Sequence, residues 1–223
     1  MQNILQSLDF NTFSSGILLI LASLGLSLSA GVRAYLPVLA LGIAADIGNV
    51  GGFQIHLQPE FAWVGNPLFL GLMVLLTIYE ISADKIPVVD HLNDTVHTLI
   101  RPLSGALIFV STNNLLTDHG AVGMIAAAVL GGGLAATTHA VKAGVVRPAS
   151  TVATLGLANP VISLGEDVLV IFTTIVSLLA PVVGIILIAL VAVFIGRRLN
   201  KVAKNRRAKQ VGVGDFATGH PYP

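Results

Sequence analysis

Glu80 and Asp84 lie four residues apart, so on a helix they share one face. Asp90, Asp94, His97 and Arg101 follow at i, i+4, i+7 and i+11, one continuous face of a second helix. Pro87 disfavours helix at Ile86 and therefore separates the two. Carboxylates and an imidazole at this spacing could hold a divalent cation. They could also relay protons, since histidine titrates near neutral pH. The opposite stripe, Val89, Leu92, Val96, Leu99 and Ile100, is apolar. The plainer alternative is an interfacial helix on the cytoplasmic surface with its polar face in water.

A second group lies further on. His139, Lys142 and Arg147 follow one another closely, and Glu166 and Asp167 stand side by side in the apolar run NPVISLGEDVLVI. An ionised carboxylate is expensive in an apolar span unless it is paired, protonated or facing water. These two are expected to face a bundle interior, with Arg147, Lys142, Arg33 or Arg101 as partners. Arg33 sits in SAGVRAYLP, where small residues and a proline predict a broken helix. A guanidinium beside freed backbone N–H groups suits a phosphate or carboxylate. The alternatives are an arginine snorkelling at a membrane face and buried ion pairs that serve only register.

The remainder of the chain must position these groups inside a membrane. Of 223 residues, 54% are hydrophobic and 10% charged, against about 25% charged in soluble domains. The fold expected is an all-α integral membrane protein. The stretch from Glu80 to Arg101 alone holds six of the 23 charged residues. Cysteine is absent, which excludes disulfides, thiolate metal sites and cysteine nucleophiles. No Lys or Arg precedes the first apolar run, so that run is expected to stay as a span. With roughly 20 apolar residues needed to cross, spans are expected over 15–31, 32–48 (broken by Pro37), from Pro67, over 102–117, 121–141, 161–180 and 182–196. That makes about seven, with 148–159 as a re-entrant piece and a turn at Asp118-His119-Gly120.

Residues 1–196 thus form one transmembrane domain, and 197–223 a basic tail whose end is expected to be disordered. Seven Lys or Arg fall within 197–209, so the positive-inside rule places the C-terminus in the cytoplasm. Lys85, Arg101, Lys142 and Arg147 then fall on the same side. The halves 15–117 and 121–196 carry paired signatures in the same order: GVRA with AVKA, LGIA with LGLA, and NP at 66 and 159. Repeated halves with Gly/Pro-interrupted segments are the pattern of transporters.

The runs GVRAYLP and ADKIPVVD, then D..HT.IRP..GAL, the group His139, Lys142 and Arg147, and NP..S..ED together resemble a bacterial membrane family, domain of unknown function 4126. The resemblance covers most of residues 24–195. It implies a polytopic inner-membrane protein and names no substrate. No G-x-S-x-G or H-E-x-x-H motif is present, and an enzyme is the less favoured reading. The expected function is a transporter or flippase for a small or lipid-linked anion, with proton coupling. In it Arg33, Arg101, Lys142 and Arg147 attract the anion. Glu80, Asp84, Asp90, Asp94, His97, His139, Glu166 and Asp167 carry protons or a cation. The alternatives are a divalent-cation transporter, a metal-dependent lipid head-group enzyme and a structural scaffold. No cofactor is expected, with a divalent metal left open. The expected partners are the bilayer and the substrate, with homo-oligomerisation open and no nucleic acid.

Overall fold

The computed structural model describes residues 10–50, 52–85, 87–118, 120–146, 159–186, 188–190, 193–194, 196–197 and 201. Two compact units divide the chain, Met1–Ile185 and Ile186–Pro223. The first is a helix bundle. Its helices are α1 (Phe10–Ala30), α2 (Tyr35–Ile47), α3 (Pro67–Ala83), α4 (Pro87–Thr112), the single turn α5 (Asn114–Thr117), α6 (Gly120–Val141) and α7 (Asn159–Leu179). The second unit contributes short helical pieces.

Helices end where side chains dictate. Asn66 caps α3 by accepting the Leu68 N–H at 2.9 Å, with Pro67 in the first position, where no intrahelical donor is needed. The second Asn-Pro likewise opens α7 at Asn159. Between α2 and α3 the chain makes a two-stranded hairpin, β1 (Asn49–Val50) with β2 (Phe53–Gln54), and a 3-10 helix, Pro59–Gly65, bent by 57° from α3. Trp63 is half exposed there and stacks edge-on against Phe69 at 4.9 Å. Helical backbone breaks at Ala180 and resumes at Pro181, the break expected from the proline.

Among the described residues, two helices can cross a membrane by length and composition, Gly120–Gly144 and Val161–Leu179, or three if the bent pair Pro59–Gly65 and Pro67–Ala83 is one span. These apolar helices fit a membrane protein. Helix α2, at 13 residues, is too short to cross by itself. Helix α4 is roughly 39 Å long at ~1.5 Å per residue, but its first half is polar.

Three expectations are corrected. Pro37 does not break a helix. It lies in the first turn of α2, where its missing N–H is no loss. Pro102 does not open a span, because it lies inside α4, which runs unbroken through it. Proline is tolerated inside membrane helices because neighbouring groups satisfy the freed carbonyl. The described part of α4 does not turn its His97–Arg101 face to solvent. From Thr95 onward it is inside out: His97 and Arg101 are buried, while Val96, Leu99 and Leu103 point outward, Leu99 at 72% exposure. In lipid the outward face is the apolar one, and polar groups turn toward each other.

The close-packed seam of the bundle runs between α4 and α6. A Cβ on Gly105 would overlap the Gly131 carbonyl oxygen, and one on Gly131 would overlap that of Gly105. Small residues allow this approach, and backbone contact then replaces side-chain packing. Gly31 makes the same kind of contact with the Ala135 carbonyl of α6. That contact fixes the α1–α2 break directly over the end of α6. The turn at Gly120 takes φ +69°, the left-handed region that glycine allows. The re-entrant piece, residue His119 of the turn and nearly all of the basic tail lie outside the described residues.

Candidate functional site

Met73, Thr77, Glu80 and Asp84 fall at i, i+4, i+7 and i+11, and α3 buries all four along one side. Its other side, with Leu68, Leu75 and Ile78, faces outward. Helix α3 therefore drives two carboxylates into the bundle at the level where α1 breaks, α6 ends and α7 begins. Everything else in the site converges on them.

Glu80 forms the inner arm. Its carboxylate accepts the Ala34 N–H at 3.0 and 3.1 Å and the Tyr35 N–H at 3.5 Å, so it caps α2 from a different helix. A helix N-terminus offers unpaired N–H groups and the positive end of a dipole, both suited to an anion. The anion beside the freed amides near Arg33 is thus the protein's own carboxylate. Glu80 Oε1 also lies 3.4 Å from Arg101 Nη2 and 3.4 Å from His97 Nε2. Arg101 Nη1 donates to His139 Nδ1 at 2.6 Å. A guanidinium can only donate, so this assigns the His139 proton to Nε2, which faces Thr98 Oγ1 at 3.2 Å. The ring of Tyr35 meets His97 edge-on at 5.6 Å.

Asp84 forms the outer arm. Arg33 Nη1 donates to Asp84 Oδ2 and, at 3.2 Å, to the Glu80 backbone carbonyl. Arg33 Nη2 donates to Ser163 Oγ at 2.9 Å and lies 2.5 Å from Asp167 Oδ1. Lys142 begins a π-helical segment, Lys142–Val146, that continues α6. Its Nζ lies 3.3 Å from the same Asp84 oxygen, 3.3 Å from the Val32 carbonyl and 2.8 Å from Glu166 Oε2. The guanidinium and the ammonium thus bridge Asp84 on α3 to the two carboxylates of α7.

The two arms form one network, because Glu80 and Asp84 share α3 and Arg33 touches both residues. Three cations, Arg33, Arg101 and Lys142, meet four carboxylates, Glu80, Asp84, Glu166 and Asp167. With both imidazoles neutral, one negative charge is left in excess. Burial is uneven. The side chains of Asp84 and Glu80 are 0% and 1% exposed, while those of Asp167 and Glu166 are 10% and 14% exposed.

The structure therefore brings together Arg33, Arg101, Lys142, Glu80, Asp84, His97, His139, Glu166 and Asp167. Arg101 and Lys142 are buried partners in ion pairs and so are not loop charges, whereas Lys85 is exposed. Asp90 and Asp94 lie on the first turns of α4, their side chains outside those described, and Arg147 is outside the described residues. Among the described residues no group of three or more His, Asp or Glu is placed to hold a metal ion. The carboxylates face cations instead. Sequence reasoning missed Ser163, Thr98 and the amides of Ala34 and Tyr35. Ser163 had a signal, since it stands one turn before Asp167 on the same face of α7.

The family model described as a domain of unknown function (DUF4126) matches residues 20–201, which spans every residue of this network. The chain belongs to the DUF4126 family. No curated protein and no solved structure matches it. For this DUF4126 protein, then, chemistry has to be argued from the network itself.

Proposed function

We propose that this DUF4126 protein is a membrane transporter or flippase for a small or lipid-linked anion, coupled to protons, and that the buried network is its coupling site. One observation carries the reading. Seven charged groups from five parts of the chain meet in one buried cluster with an odd number of charges. Ionisable groups inside a membrane are costly and mark ion or proton pathways by default. Ion pairs kept only for stability would do no better than apolar residues of the same volume.

The uneven burial suggests the order of events. Glu166 and Asp167 act as internal stand-ins for the substrate, held by Lys142 and Arg33. When they take up protons, their hold on the two cations weakens. An incoming anion then takes their place on Arg33 and Lys142. Proton and anion enter together because the same two cations cannot serve both. Asp84 stays behind and keeps Arg33 and Lys142 positioned. Glu80, Arg101, His97 and His139 hold the other half of the bundle still. In the same reading the chain crosses a bacterial inner membrane about seven times, with two repeated halves and a cytoplasmic C-terminus. Arg33 in GVRA and Lys142 in AVKA, the paired signatures, both bind Asp84.

The test is proton movement in liposomes holding the purified full chain and an entrapped pH dye. Inward gradients of phosphate, short carboxylates and glycerol phosphate, and short-chain phosphatidic acid added outside, are tried in turn. One anion class is expected to drive proton entry, and Glu166→Gln with Asp167→Asn to abolish it. Proton entry no faster than in empty liposomes for every anion would overturn the proposal.

A second reading is a structural clamp, favoured by the fact that each of these charges faces an opposite one. It predicts that exchanging the Arg33–Asp84 pair for Met and Leu leaves any transport phenotype intact.

A further inference from the structure

Most buried hydroxyls in the bundle have partners. Ser27 Oγ donates to the Gly105 carbonyl at 3.1 Å, and Ser23 Oγ lies 2.7 Å from Thr112 Oγ1. Thr173 Oγ1 reaches back to the Leu169 carbonyl at 2.8 Å and across to Ser29 Oγ at 3.0 Å. Bonding to the carbonyl one turn earlier is the usual recourse of a helical hydroxyl.

Helix α7 breaks this pattern on one face. Thr174 Oγ1 and Ser177 Oγ are buried, their residues 1% and 0% exposed, and neither has a hydrogen-bond partner among the described residues. The same holds for Asp167 Oδ2, at the edge of the network. Asp167, Thr174 and Ser177 stand at i, i+7 and i+10, so the three share one face over ~15 Å of helix. Gly184 packs closely over Ser177, where a Cβ would come within 3.1 Å of both its Cα and its Oγ, so no side chain from that position supplies the hydroxyl with a partner. Val170 is the buried apolar residue between Asp167 and Thr174 on this face, and orphaned polar groups on either side of it are of the kind that ordered water satisfies.

We propose that a file of bound water runs along this face of α7, from Ser177 past Thr174 to Asp167, and that protons reach the network along it. The delivery role rests on the proton-coupled reading above, while the water file itself does not. A proton arriving on the last water passes to Asp167 Oδ2 and neutralises that carboxylate. The charged groups around it are Arg33 from the α1–α2 break, Glu166 on α7, Lys142 at the end of α6 and Asp84 on α3. Loss of the Asp167 charge loosens Arg33 from α7, the first step of the exchange.

The chain has no cysteine, so single thiols can be read without background. Ser177→Cys, Thr174→Cys and the control Ser27→Cys are made in the full chain and exposed to silver ion, which is small enough to follow water. Reaction is read as thiol lost, titrated after unfolding. Ser27 is as buried as Ser177 but has a protein partner. The expected result is silver reaction several-fold faster at Ser177→Cys and Thr174→Cys than at Ser27→Cys. Melting of Ser177→Ala and Thr174→Val supplies the second arm. A hydroxyl bonded to water leaves Tm unchanged or lowered when removed, whereas a dry orphan raises it. Silver reaction no faster than the control, together with a raised Tm in both variants, would overturn the file, whatever the liposome assay shows. A silver-accessible file in a protein that moves no protons would overturn proton delivery and the transport reading with it, leaving the water in place.

Discussion

The inner and outer arms of the network use the same residue types but are built differently. Glu80 in the inner arm is held by backbone amides of α2 as well as by Arg101 and His97. Its partner Arg101 lies one turn before Gly105, where α4 and α6 touch backbone to backbone. In the outer arm α7 carries the carboxylates, which are the more exposed, and the hydroxyls that lack protein partners. An amide cap cannot rotate away, while a side-chain ion pair can. The inner arm is thus suited to holding and the outer arm to exchanging, although both are ion-pair clusters in the same bundle.

Substitutions in the two arms test that contrast. The largest effect is expected from Glu80→Gln, which removes the carboxylate facing Arg101 and His97 and weakens the cap of α2. Breaking a buried pair from one side costs about 3–5 kcal/mol, so thermal unfolding in detergent, followed through the single Trp63, should show a large fall in Tm. Asp167→Asn keeps size and an acceptor for Arg33 and should cost only about 1.5 kcal/mol, the scale of one hydrogen bond to a charged group. If the two variants lost equal stability, the arms would not differ. Gly105→Ala puts a methyl against the Gly131 carbonyl and should cost about 1–3 kcal/mol through overpacking. The smallest effect is expected at Gly165 on α7, where a Cβ meets nothing within 4 Å. Gly165→Ala should stabilise by about 0.5–1 kcal/mol through helix propensity, and a loss of Tm there would show that this side of α7 is packed after all.

Much of this arrangement was legible beforehand, residue by residue. The shared face of Glu80 and Asp84 follows from 3.6 residues per turn. The helix start at Asn66 follows from capping chemistry, and the breaks at Pro87 and Pro181 from proline sterics. The direction of α4 was not legible. Periodicity separates a polar face from an apolar one but does not say which is turned to the outside, and lipid reverses the rule that water sets. Pro37 and Pro102 misled for a related reason. Proline forbids a donor, not a helix, and only position in the helix decides whether that donor matters.

Composition and periodicity are enough to establish that this chain is helical and apolar, that its few charges gather in short stretches, and which of them share a helical face. These are local properties, fixed by composition and by the geometry of one turn. Only the tertiary structure decided which charge meets which. Arg33 and Asp84 are 51 residues apart and Arg33 and Asp167 further still, and their pairing depends on where α1 breaks against α6. The backbone amides that Glu80 caps have no side-chain signature at all. Such long-range pairing is set by the close approach of helices, and that approach depends on glycines whose importance appears only when two backbones touch.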